Sequence, residues 1–104
     1  MSVLRARIGE AKAAVARGNM PDAQVILEAT AAQAAEHSLN EVQSMALHDR
    51  AMIAHMTGDF ELAVRLAYRA LEITQSSRER DRILADIASS MDELGVRTAA
   101  RDAY

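Results

Sequence analysis

The sequence predicts an all-α protein built from stacked helical hairpins. Half of the residues are apolar, and Ala, Leu, Ile, Val and Met dominate that half, with only three aromatic residues. Most of these residue types favour helix. No stretch alternates with a period of two, no Asn-Gly or Asp-Gly hairpin turn occurs, and Pro21 is the only proline. Strand signals are therefore missing, and helix is the remaining regular structure.

Three glycine-containing segments divide the chain into helix-patterned stretches. Gly18 and Gly58 are 40 residues apart, and Gly95 follows after another 37. A glycine that takes the left-handed conformation lets a helix end and the chain reverse at little steric cost. The recurrence predicts about three hairpins in a single domain over 1–104. The expected helices are 3–17, 20–36, 40–56, 60–75, 78–94 and 97–104.

The expected helix starts carry capping residues. Asn19 precedes the second helix, with Pro21 in its first turn. Ser38-x-x-Glu41 and Ser76-x-x-Glu79 have the pattern of capping boxes, in which a hydroxyl and a returning carboxylate accept hydrogen bonds from free backbone N–H groups. We therefore predict that these two boxes open the third and fifth helices.

Composition excludes several functional classes. The net charge of −3 and the sequence pI of about 5.5 argue against a nucleic-acid partner, which requires clustered Lys and Arg. The chain has no cysteine, so thiolate chemistry is excluded. No run approaches the ~20 apolar residues of a membrane span, and the first residues lack the apolar core of a signal peptide. We expect a cytoplasmic protein without a membrane partner.

The stretch from Gly58 to Ile73 carries the most specific pattern. Gly58-Asp59-Phe60 is followed by Ala63 and Ala70, and Ala51 stands in the preceding helix. This resembles a tetratricopeptide repeat, in which a Gly-Asp-aromatic turn precedes small residues at the helix crossing. The resemblance implies a right-handed stack of hairpins (TPR-like α-solenoid) over 3–36, 40–75 and 78–104, with the first helix of each hairpin lining a concave groove.

Some residues depart from the family pattern. Arg50 stands where leucine is usual, and Leu47 replaces the large aromatic residue of the first helix. The spacing also exceeds the ~34 residues of the standard repeat, so a long variant of about 40 residues, or a HEAT or armadillo array, fits the period as well.

One face of the third expected helix is the candidate contact surface. Its residues recur at steps of three and four, so they share one side of a helix. One interpretation is that methionines fill gaps in a packed seam; the other is that flexible methionines form the floor of a groove for a peptide or helix. The candidate site comprises Met45, His48, Asp49, Met52, His55 and Met56, flanked by Lys12, Arg82, Asp86 and Ser89.

Alternative sites have less support. His48 and His55 are seven residues apart, hence about 10.5 Å along a helix, which is too far for one zinc with bonds of ~2.1 Å. A soft ion between Met52 and a neighbouring histidine remains open. Chaperone-binding tetratricopeptide domains clamp a carboxylate with basic and amide donors, but Ile8, Asp49 and Asp86 occupy those positions here. No cofactor motif or catalytic constellation is found, so no enzymatic activity is expected.

The sequence thus predicts a protein–protein interaction or scaffold module that binds a peptide or helix in a groove. A regulatory input domain of a bacterial signalling or transcription protein and a self-associating module are the alternatives. The sixth expected helix ends at Tyr104 without a polar cap, which terminal repeats need. This predicts a fragment of a longer protein or a homo-oligomer formed through that uncapped end.

Overall fold

A computed structural model describes residues 3–102, and every regular element within them is an α-helix. The predicted all-α class is therefore confirmed for this part of the chain. Each helix packs against the next one along the sequence, and α3 also touches α1 and α5. The five helices are α1 (Val3–Ala16), α2 (Met20–Glu36), α3 (Asn40–Met56), α4 (Phe60–Ile73) and α5 (Ser77–Asp102).

The core consists of a few large side chains separated by many alanines. Leu27, Leu47 and Ile83 are the largest fully buried apolar side chains. Alanine at a contact lets two helix backbones approach closely, as required for interiors without voids. The buried alanines lie on all of the first four helices: Ala11, Ala14, Ala23, Ala31, Ala34, Ala46, Ala51, Ala54, Ala63, Ala67 and Ala70.

Three turns of one geometry join the first four helices. Gly18, Ser38 and Gly58 lie 20 residues apart and have φ of 78°, 55° and 87°, in the left-handed region. At each turn the next residue donates its backbone N–H to a carbonyl five residues earlier, as in a Schellman motif. The three bonds are Asn19 to Ala14, Leu39 to Ala34 and Asp59 to Ala54, each 2.8 Å.

The predicted third turn at Gly95 is wrong, because α5 runs through this residue without a break. One difference between Gly95 and the glycines at 18 and 58 lies in the next residue. Asn19 and Asp59 follow the other two glycines, and their side chains accept N–H bonds from the first turns of α2 and α4. Val96 offers no such acceptor. The chain thus forms two hairpins, α1–α2 and α3–α4, followed by one long helix; residues 103 and 104 lie outside the described range.

The predicted caps have mixed outcomes. Asn19 caps α2 as expected. The Ser38 box is wrong, because Ser38 forms the turn and the residue before α3 makes no side-chain cap bond. Glu41 instead accepts bonds from Thr74 Oγ1 at 3.0 Å and from the backbone N–H of Gln75 at 2.6 Å, which ties α3 to the end of α4.

Only one of the two hydrogen bonds of the predicted Ser76 capping box forms. Ser76 Oγ accepts the backbone N–H of Glu79 at 3.2 Å. The Glu79 carboxylate does not return to the cap but reaches His48 on α3.

None of the helices within residues 3–102 combines the length and apolar content that a membrane crossing requires.

Candidate functional site

Helix α3 lies at the centre of the candidate site. It packs against α2 and α4, and its remaining face lies between α1 on one side and α5 on the other. That face carries the residues that the helical spacing selects. In the described part of the chain α1 and α5 do not pack against each other, so a groove runs between them with α3 as its floor.

The pocket between α1 and α3 has a volume of about 300 Å³. Its wall is almost entirely apolar, and two charged residues, Lys12 and Asp49, also line it. We call it the α1–α3 pocket; its other lining residues are Ala11, Val15, Ala16, Leu27, Met52, Ile53 and Met56.

Asp49 is the most perturbed group of this pocket. Burial raises the pKa of its carboxyl group above the ordinary value, and the positive charge of Lys12 opposes that rise. Its Oδ2 atom is buried without a hydrogen-bond partner among the described residues. Since an unpartnered buried carboxylate is costly, the local environment favours the protonated form more than solvent does.

A second, smaller pocket of about 140 Å³ lies between α3 and α5. We call it the α3–α5 pocket. Its wall mixes small apolar residues with polar ones, and it brings the predicted residues His55, Asp86 and Ser89 together. The other lining residues are Ala51, Met52, Met56, Ala63, Ala67 and Ser90.

Met52 and Met56 belong to both pockets. They are 43% and 58% exposed, whereas Val42, Leu47 and Ile53 of the same helix are buried. Each side chain is unbranched and polarizable, so it adapts to differently shaped neighbours. The two methionines therefore form an exposed apolar ridge along the floor of the groove.

His48 is held below this surface. It is 3% exposed and lines neither pocket. Its Nδ1 lies 2.7 Å from Glu79 Oε1 and its Nε2 lies 2.5 Å from Asp86 Oδ2. A neutral imidazole carries a single N–H, so the ring donates both bonds only when it holds both protons. His48 thus joins α3 to two carboxylates of α5.

His55 makes a contact that the helical spacing could not reveal. Its Nδ1 lies 2.8 Å from the hydroxyl oxygen of buried Ser90, 35 residues away, and its ring meets Phe60 edge-on at 5.0 Å. Ser90 therefore belongs to the site although it was not among the predicted residues. Only the packing of α5 on α3 and α4 creates the pair, and no local pattern signals it.

Two predicted residues lie at the margin of the groove. Met45 is partly buried against the core, and its sulfur accepts a bond from Arg5 Nη1 at 3.6 Å. Arg82 is exposed, with Nη1 3.9 Å from Glu79 Oε2. An exposed pair at this distance contributes little to stability.

Over the described range, no three His, Asp or Glu side chains group in a way that would hold a metal ion. No known family model, curated protein or solved structure matches this chain.

Proposed function

We propose that this protein is a protein–protein interaction module that binds an amphipathic helix or peptide along the groove formed by α1, α3 and α5. Binding would rest on apolar and shape complementarity and would involve no chemical step. The exposed ridge of Met52 and Met56, shared by two adjoining pockets, is the observation that supports this function.

The size and character of the pockets suit side chains of a bound peptide. The α1–α3 pocket, at about 300 Å³, is wide enough for a large apolar side chain and lies next to Met56. Peptide helices that bind grooves present apolar anchors at steps of three and four residues. Two pockets on either side of one methionine ridge would accept two such anchors.

Charged residues would orient the bound peptide. Lys12 lies at the α1 side of the groove, and Asp86 lies at the α5 side. Charges at the rim of an interface affect orientation and association rate more than affinity. A peptide with an acidic edge towards α1 and a basic edge towards α5 is therefore the expected ligand.

The test is a selection of peptides from a displayed random library on the immobilised protein. Selected peptides are then measured against a Met52→Glu, Met56→Glu variant. We expect a loss of at least about tenfold in affinity, because two buried charges would replace apolar contacts. The backbone amide NMR signals of α1, α3 and α5 should shift on peptide addition.

Met91→Glu is the matched control, since Met91 is 51% exposed on α5 and lines neither pocket. It should bind the same peptides as the wild type. Circular dichroism must show unchanged helix content in all variants. Equal affinity for the wild type and the double variant would remove the groove as the binding site.

A further inference from the structure

An exposed apolar stripe runs along α5 on the side away from the groove. Leu84 and Met91 are 44% and 51% exposed, and Ala88 between them and Gly95 after them are exposed as well. The steps of four, three and four residues place all four on one face of the helix. None of them carries a charge. We call this set the α5 stripe.

The equivalent face of α3, found by aligning the first residues of α3 and α5, is covered by other helices. Residues of α3 that stand 37 positions earlier, Leu47, Ala51 and Ala54, are all buried. Helix α3 is enclosed by α2 on one side and α4 on the other, whereas α5 packs extensively only against α4. The α5 stripe thus has the residue types of a helix-covered face, but no helix covers it within residues 3–102.

The hairpin α3–α4 shows what kind of element fits such a face. There an antiparallel helix lies across small residues, so that the two backbones approach closely. A neighbour that packs on α5 in the same way runs antiparallel and accommodates two large side chains, Leu84 and Met91, in gaps left by small residues.

The α5 stripe of a second copy meets this requirement. When two α5 helices run antiparallel, Leu84 of each copy faces Gly95 of the other, and Met91 faces Ala88. Every large residue thereby meets a small one. Positions four and three apart form layers of this kind in antiparallel coiled coils. Asp81 and Thr98, which continue the spacing at the two ends, would also face each other as acceptor and donor.

We propose that the α5 stripe is a homodimer interface in which two copies pair through antiparallel α5 helices about a twofold axis. The arrangement is isologous, because each copy contributes the same stripe, and it closes after two subunits. It uses the side of α5 opposite to the groove and is independent of the proposed peptide binding.

The size of the interface sets the expected affinity. The stripe from Leu84 to Gly95 spans 12 residues, or about 16 Å of helix. A single helix pair of this length buries less than the ~800 Å² per partner of a standard stable interface. The dimer should therefore form at micromolar or higher concentration and dissociate on dilution.

Sedimentation velocity over a wide concentration range is the first measurement. We expect the mass to rise from that of the 11.3 kDa monomer to twice that value. Met91→Glu should shift the association midpoint to at least about tenfold higher concentration, because it places a charge at the centre of the interface. Met56→Glu, the same substitution in the groove, should leave association unchanged. A monomer at every concentration would overturn the proposal, and so would association that Met56→Glu weakens and Met91→Glu does not.

Disulfide crosslinking tests the register. The chain has no cysteine of its own, so introduced pairs are unambiguous. Chains carrying Ala88→Cys, mixed with chains carrying Met91→Cys, should give a covalent heterodimer on mild oxidation. A mixture of Ala88→Cys and Met56→Cys chains is the control and should give no covalent heterodimer. Equal yields in the two mixtures would overturn the antiparallel register.

Discussion

His48 on α3 and Glu79 on α5 are joined by a 2.7 Å contact between Nδ1 and Oε1, in a setting where the histidine side chain is almost fully buried. Asp86 faces the other ring nitrogen and is about half exposed. The contact spans 31 residues of sequence and fixes the position of α5 on α3. Removing the imidazole would leave the carboxylates of Glu79 and Asp86 without this shared partner.

We therefore predict that His48→Leu lowers the free energy of unfolding by about 2–3 kcal/mol. This is less than the ~3–5 kcal/mol of a fully buried pair, because Asp86 retains contact with water. Urea denaturation measures the change. His37→Leu is the matched control at an exposed histidine and should change stability by less than about 0.5 kcal/mol. An equal effect of both variants would contradict the bridging role of His48.

Asp49 should make stability depend on pH. Burial raises the pKa of its carboxyl group in the folded state above the ordinary ~3.9 of the unfolded chain. In the interval between these two pKa values the folded state binds more protons, so its stability falls as pH rises. Asp49→Asn removes this pH-dependent contribution to the free energy of unfolding.

The wild type should consequently lose stability relative to Asp49→Asn as pH rises above about 4, and the difference should then become constant. Urea denaturation at a series of pH values gives the two curves. Asp92→Asn, at an exposed position of α5, is the control, and its stability curve should run parallel to that of the wild type. If the stability difference between the wild type and Asp49→Asn grew as the pH fell, the pKa of Asp49 would be lowered by folding and not raised.

Gly95 distinguishes a continuous α5 from a turn. A Cβ atom at this position would meet nothing within 4 Å, and the residue is helical. We predict that Gly95→Ala raises the free energy of unfolding by about 0.5–1 kcal/mol, because alanine is the better helix former. Gly18→Ala should lower it by about 1–2 kcal/mol, since Gly18 has a φ of 78°. If Gly95→Ala destabilised the protein, Gly95 would form a left-handed turn and α5 would not be continuous.

Ser38 carries a side chain in the left-handed region, with φ of 55°. Glycine adopts this conformation without steric cost, so Ser38→Gly should stabilise the protein by up to about 1 kcal/mol. Thermal unfolding detects the change as a higher Tm. Ser89→Gly, in the middle of α5, is the opposite case and should lower stability by about 0.5–1 kcal/mol. A lower Tm for Ser38→Gly would mean that the serine side chain stabilises the turn.

The residue pattern predicted most of the backbone, and its errors have physical causes. Glycine was a reliable sign of a turn at 18 and 58, where an Asn or Asp follows it. Gly95 is followed by Val96, which offers no capping side chain, and the helix continues through both residues. At Ser38 the turn was hidden, because serine also fits a helix cap.

The candidate site was only partly accessible to sequence reasoning. Helical spacing placed Met52 and Met56 on one face because their relation is local, and both side chains are exposed. It also grouped His48 with them, although His48 is buried under α5. The pairing of His55 with Ser90 depends on how two distant helices meet, and helical periodicity contains no information about that distance.

The regular spacing of the left-handed residues at 18, 38 and 58 has a consequence for changes in chain length. Each turn sets where the next helix begins, so a single inserted residue within a helix rotates the following side chains by ~100° and misplaces the buried alanines. A block of 40 residues, in contrast, restores both the helix direction and the turn geometry. Lengthening of this protein should therefore be tolerated in whole hairpins and rejected in smaller steps.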